Sequence, residues 1–181
     1  MKERDYFIPK CYIPMYDRYD RAVEEKDEKT LLWFHQFGSE EWERQMIENA
    51  HDYELYLSCG YTGKPSFNST GWLENANGYF MRDQMEIVWV FKENGARAYV
   101  QLLHHPNDTW VSAIDITLSL GGCCGYPSVW DKQYPTRREA LNAALDNIIR
   151  YVASGSKAEQ RLLPLVKQKR ADTQQLNLFG W

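Results

Sequence analysis

The sequence has no apolar run approaching the roughly 20 residues that a membrane-spanning helix requires, so no bilayer helix is expected. Cysteine is sparse. Cys11, Cys59, Cys123 and Cys124 follow no secretory hydrophobic region, which points to reduced thiols in a cytoplasmic protein. Cys123 and Cys124 are neighbours and would need a strained ring to pair. In that compartment the patterns Asn68-Ser69-Thr70 and Asn107-Asp108-Thr109 have no meaning as glycan acceptors. Positive charge is not in excess: 21 Lys and Arg against 25 Asp and Glu leave a formal charge of -4. No global field therefore draws the chain onto nucleic acid or anionic lipid, and any DNA contact must come from a local patch. Repeats and low-complexity stretches are absent. So are H-E-x-x-H, G-x-S-x-G and Gly-Lys-Ser/Thr signatures, and neither an enzyme activity nor a cofactor is expected.

What is present is a folding composition. A hydrophobic fraction of 44% with 14% aromatics over 181 residues suffices for one domain, or one domain with a helical extension, with a sizeable core. Tyr6, Phe7, Tyr12, Tyr16 and Tyr19, with Pro9 and Pro14, predict an extended lead-in that turns into a helix after Pro14. The charged run Glu24 to Lys29 is an exposed helix surface or connection. Leu31, Leu32, Trp33, Phe34 and Phe37 form an apolar cluster that stops at Gly38. Ser39 then caps a helix whose Trp42, Met46, Ile47, Ala50 and Tyr53 recur on one inward face. From Cys59 to Gly78 the chain turns to Gly, Pro, Asn and Ser, predicting a long irregular connection or a surface excursion with one short strand around Trp72.

The sheet is the clearest element. Ile87, Trp89 and Phe91 alternate with Val88, Val90 and Lys92; Asn94-Gly95 supplies a tight hairpin; residues 96 to 104 return. After the turn His105-Pro106-Asn107-Asp108, Ile114, Ile116, Leu118 and Leu120 alternate with Asp115, Thr117 and Ser119. The expected fold class is α+β: a small antiparallel three-stranded meander with one solvated face, covered by an amphipathic helix, behind an N-terminal helical section. That helix opens at Thr136, with Glu139 completing a capping box, and carries Ala140, Leu141, Ala144, Leu145, Ile148, Ile149 and Val152. Gly155 ends it, and Ser156 with Glu159 caps a last short helix that Pro164 interrupts or kinks. Residues 1–58 are thus lead-in and helices, 59–155 the sheet and helix of the same domain, and 156–181 a short helix and a mobile peptide.

Several groups invite a chemical reading. Gly121, Gly122 and Gly125 could cradle a phosphate, but the helix starts about ten residues later and a plain sheet-to-helix connection is the simpler account. Arg137 and Arg138 lie at a helix start, with Lys132 nearby, which makes this small patch the best place for an anion or a weak nonspecific DNA contact; ordinary solvation is the alternative. His104, His105, Cys123 and Cys124 have the wrong spacing for a zinc finger or ribbon, and no metal site is expected. Cys123 with His104 would serve as nucleophile and base only within hydrogen-bond reach. Asp115, with Asp83 and Glu86, is the acidic group to inspect for metal-dependent nuclease chemistry, against a solvated strand face. Tyr6, Tyr12, Tyr16, Tyr19, Trp72, Tyr79 and Phe80 could stack single-stranded nucleic acid, although core packing consumes most aromatics and Lys and Arg are not interleaved.

The residues at the carboxyl end are the most informative. After the polar stretch Lys167, Gln168, Lys169, Arg170, Asp172, Thr173 and Gln174, which should stay solvated, Leu176, Leu178 and Phe179 appear with no later segment to cover them. A partner pocket taking them would gain roughly 1.5 to 3 kcal/mol per side chain, less the cost of ordering a tail. The alternative is that they fold back with Trp181 as a strand or plug. Gln175, Leu176, Leu178 and Phe179 form a Q-L-x-L-F string that resembles the peptide by which many bacterial replication and repair proteins bind the sliding clamp.

A second resemblance covers residues 85 to 153. Its stretch G-G-C-C-G-Y-P-S-V-W-D-K-Q-Y-P-T-R-R-E-A-L is similar to a module of phage and plasmid proteins, sometimes found beside DNA-modification or partition functions. Together the resemblances imply a non-enzymatic accessory or regulatory protein of a phage or mobile element that docks on the host sliding clamp. The rival expectations are an anti-defence protein, of anti-CRISPR or anti-restriction type, that blocks a host nuclease complex with an aromatic or acidic surface, and a small metal-dependent DNA-acting enzyme.

Overall fold

The computed structural model describes residues 4–76, 78–119 and 121–175 of the chain. They form an α+β structure with an N-terminal helical section and a four-stranded antiparallel sheet, divided into two compact units, Met1–Asn77 and Gly78–Trp181.

In the first unit, helix α1 (Ile13–Glu25) begins with Pro14 in its first turn, where a missing N–H costs nothing, and stops where Lys26 takes a left-handed φ of 59°. Asp27 caps α2 (Glu28–Phe34) by accepting from the Thr30 N–H at 3.2 Å. A 3-10 turn over 35–37 leads to Gly38, and a second over 40–42 enters α3 (Glu43–Ser58). Met15, Tyr16, Tyr19, Phe34, Phe37, Met46, Ile47 and Ala50 close one core. Aromatic edges set its packing, with Tyr19 on Phe34 at 5.1 Å and 78°.

Two expectations change here. Ser39 makes no side-chain cap, because the 3-10 turn delays the helix to Glu43. Trp42 consequently leaves the inward face and is 65% exposed. The Gly- and Asn-rich connection after Cys59 is built onto α3 and belongs to this unit rather than to the sheet. Its anchor is Asn49, fully buried, which donates to the carbonyls of Phe37 and Gly71 and accepts from the Leu73 N–H. Asn68 closes the turn before Trp72 by accepting from the N–H groups of Thr70 and Trp72, and Phe67 bridges Leu73.

In the second unit β1 (Glu86–Glu93), β2 (Ala96–His104), β3 (Trp110–Leu118) and β4 (Gly121–Cys124) pair in sequence order. Asn94 and Gly95 take φ of 48° and 81° at the β1–β2 hairpin, as their pairing predicts. The fourth strand corrects the three-stranded expectation: the glycine run is strand, not turn. Gly122 faces Thr117 so closely that a Cβ there would lie 2.2 Å from the Ile116 carbonyl oxygen, so glycine is what permits the pairing. The alternation in β1 also breaks. A bulge between Trp89 and Phe91 turns Phe91 onto the core face used by Val88, leaving Ile87 and Trp89 about half exposed on the other.

Helix α4 (Arg137–Ala153), capped by Thr136, covers the sheet: Ala140, Leu141, Ala144, Leu145, Ile148 and Val152 pack with Phe91, Ala98, Val100, Leu102, Ile116 and Leu118. The opposite face is not fully solvated as expected. Gln101, Leu103 and Val111 are buried there, and Gln101 donates to the Gly125 carbonyl at 2.7 Å where the chain returns from β4. The capping box of Ser156 and Glu159 starts α5 (Lys157–Gln160) as its sequence predicts.

The polar stretch from Lys167 is not a loose tail. It is helix α6 (Leu163–Gln175), separate from α5, with Pro164 in its opening turn, so the helical run is interrupted just before Pro164 and not kinked at it. Val166 enters the core, Arg170 binds Asp146 at 3.0 Å and Thr173 donates to Asn142 at 2.6 Å, which docks α6 along α4. Leu176, Leu178 and Phe179 lie outside the described residues.

Candidate functional site

The entry to α3 and the loop pinned by Asn49 build a concave surface in the first unit. An open cavity of about 830 Å³ is lined by Tyr6, residues 40–45, Thr70, Gly71 and Trp72. Gln45 ties its two walls by donating to the Thr70 carbonyl at 2.8 Å. Trp42 and Trp72, 65% and 40% exposed, present apolar surface at one groove, where isolated exposed aromatics would be ordinary. The surrounding charge is acidic. Glu40 lies 3.2 Å from His35, Glu41 is exposed, and Glu43 accepts from Arg4.

Arg4 is the electrostatic anchor beneath. Its side chain is 3% exposed, binds Asp20 at 2.7 Å and Glu43 at 2.8 Å, and lies 4.7 Å over the Tyr16 ring. Burial opposes its charge, but the hydrogen bonds and charges of Asp20 and Glu43 outweigh that and raise its pKa. Arg44 is held by Glu48 at 2.9 Å, which raises its pKa, and reaches 5.5 Å from the Tyr6 ring.

The other candidate residues separate. Lys132 is exposed over the Tyr134 ring at 5.1 Å, and Arg138 is exposed at the start of α4. Arg137 does not stand ready for an anion: its guanidinium forks onto Glu86, with Nε at 2.7 Å, and that bond holds the Glu86 carboxyl below its ordinary range. Asp115 accepts from the Tyr99 hydroxyl at 2.9 Å on the sheet face opposite α4, whereas Glu86 pairs in register with Leu102 of the core face, so the two carboxylates do not share a site.

His104 pairs with Trp110 and Cys123 with Ile116, six residues along β3 and thus about 20 Å apart, which rules out both the zinc grouping and a Cys–His dyad. Burial pushes the Cys123 thiol up, with Asp115 and Cys124 adding to it, the reverse of an activated thiolate. Among the described residues no three His, Cys, Asp or Glu side chains gather to hold a metal ion. Gly121 and Gly122 spend their backbone on β4, so no phosphate cradle forms.

Of the aromatic platform, Tyr16 and Tyr19 are core and Tyr12 is half-buried against His51; Tyr6 and Trp72 reach the groove. Sequence reasoning missed Trp42. Its helical spacing with Met46 and Ile47 marked it for the core, and no sequence signal revealed the 3-10 entry that turns it outward. Gln175 is the last residue of α6, so the Q-L-x-L-F string starts at the end of a docked helix. Among the described residues, no helix is long and apolar enough to cross a membrane. No family model, curated protein or solved structure matches the chain.

Proposed function

We propose that this is a non-enzymatic accessory or regulatory protein of a phage or mobile element that docks on a host replication or repair protein, the sliding clamp, through Gln175, Leu176, Leu178 and Phe179. One observation carries the reading. Helix α6 docks on α4 through Val166, Arg170 and Thr173 and runs to Gln175, so the first residue of the string stands at the end of an anchored helix, and Leu176, Leu178 and Phe179 follow it in the sequence. A partner pocket taking these three apolar side chains would gain roughly 1.5 to 3 kcal/mol for each, less the cost of ordering the segment. Binding of a purified bacterial clamp to the full chain, compared with an L176A/L178A/F179A chain, tests this. Micromolar binding lost in the triple variant supports the reading, and equal binding by both chains refutes it.

A second reading, an anti-defence protein that blocks a host nuclease complex, is favoured by the acidic groove with its two exposed tryptophans. Inhibition of a defence nuclease by the triple variant, at the potency of the unaltered chain, would select it over the first.

A further inference from the structure

The groove of the first unit has a definite chemical preference. Its walls carry two exposed indoles, and its edge carries Glu40, Glu41 and Glu43, continuing into an adjoining cleft lined by Asp20 and Glu24. Arg44 is the basic residue in the lining, and Glu48 and the Tyr6 ring already engage it. Arg4 holds Asp20 and Glu43, and a phosphate or carboxylate entering here would still meet like charge at Glu40 and Glu41, which disfavours nucleic acid and acidic peptides. A cation with flat, weakly hydrated faces would meet both the rings and the carboxylates.

Among the described residues, the same unit makes this pairing three times with its own arginines. Arg4 lies on Tyr16 and binds Asp20 and Glu43; Arg18 lies 4.5 Å over Trp33 and binds Glu54 at 2.6 Å; Arg44 faces Tyr6 and binds Glu48. In each, the guanidinium meets a ring and a carboxylate at once. Trp42 and Trp72, with Glu40 and Glu41 beside them, offer that combination to solvent.

We propose that the groove between Trp42 and Trp72 is a docking site for an arginine-bearing segment of a partner protein, stacked on the indoles and hydrogen-bonded to Glu40 and Glu41. The site lies wholly in the first unit and does not depend on the clamp reading.

The test uses the full chain labelled with nitrogen-15 and the peptide acetyl-Gly-Arg-Gly-Arg-Gly-amide, with the glutamate counterpart as control. The arginine peptide shifts the indole N–H resonances of Trp42 and Trp72 saturably, and the glutamate peptide leaves them in place. E40Q/E41Q and W42A each weaken binding about tenfold, the remaining spectrum showing that the fold persists. The L176A/L178A/F179A chain binds the peptide unchanged, which separates this site from the carboxyl-terminal string. Unmoved indoles, equal shifts with the glutamate peptide, indifference to both groove variants, or loss of binding in the L176A/L178A/F179A chain overturns the proposal.

Discussion

Asn49 donates to the carbonyl oxygen of Gly71 at 2.8 Å, and this bond fixes the backbone next to Trp72 against the middle of α3. The same side chain holds Phe37 and Leu73, so one buried amide organises the loop that walls the groove. N49A leaves two carbonyls and one N–H without that partner. The expected cost is about 3 kcal/mol in denaturant unfolding, with faster amide exchange concentrated at residues 71–73. A loss below about 0.5 kcal/mol would show that the loop is held by other means.

Arg4 makes the second testable anchor, because its loss removes the buried guanidinium that Asp20 and Glu43 share. R4M is expected to destabilise the chain by about 3 kcal/mol, measured by urea unfolding with the slope unchanged. R18M serves as control. Its ion pair with Glu54 is about half exposed at both ends, and its loss should cost under about 1 kcal/mol.

Acid should weaken the second unit through His105. This side chain is fully buried, and burial, with the neighbouring His104, pushes its pKa down to about 4 from 6.5. The folded state then binds fewer protons than the unfolded state between those values. Stability from this group is therefore complete above pH 6.5 and falls as pH drops toward 4, by up to about 3 kcal/mol. Unfolding measured from pH 7.5 to 4 checks the sign. In H105F the part of the slope due to this residue disappears, and an unchanged slope would contradict the assignment.

Glu86 and Arg137 supply a contrasting surface case. Arg137 depresses the Glu86 pKa, so the pair stabilises above the ordinary carboxylate range, and its contribution is lost as pH falls through the lowered value. Both ends are 43% exposed, and E86Q should cost under about 1 kcal/mol by denaturant midpoint. A loss above about 2 kcal/mol would place the pair among the fold's principal supports.

The periodic signals were legible in the sequence and the irregular ones were not. Thr136, Ser156, Asn94 and Gly95 mark their cap and turn positions because each acts on its nearest neighbours in the chain. Gly121 and Gly122 hid a strand, since glycine usually signals a turn and the close approach to Ile116 that requires it is a tertiary fact. Phe91 was displaced from its alternation by a bulge that periodicity cannot reveal. The helical character of Lys167 to Gln174 was masked by polarity, because the apolar residues of α6 that pack on the core, Leu163 and Val166, lie before this stretch, which docks through an ion pair and a hydroxyl. Trp42 follows the helical spacing of a core residue, and only the 3-10 entry turns it outward. The groove therefore required structure, while the Q-L-x-L-F string was plain in the sequence alone.

Hydrogen exchange of residues 176–181, followed in the free chain and with a purified bacterial sliding clamp, reads out docking through the Q-L-x-L-F string. Rapid exchange of Leu176, Leu178 and Phe179 in the free chain and strong slowing when the clamp is added are the expected result, with α6 protected in both states. Slow exchange of these residues in the free chain, unchanged by the clamp, would contradict it.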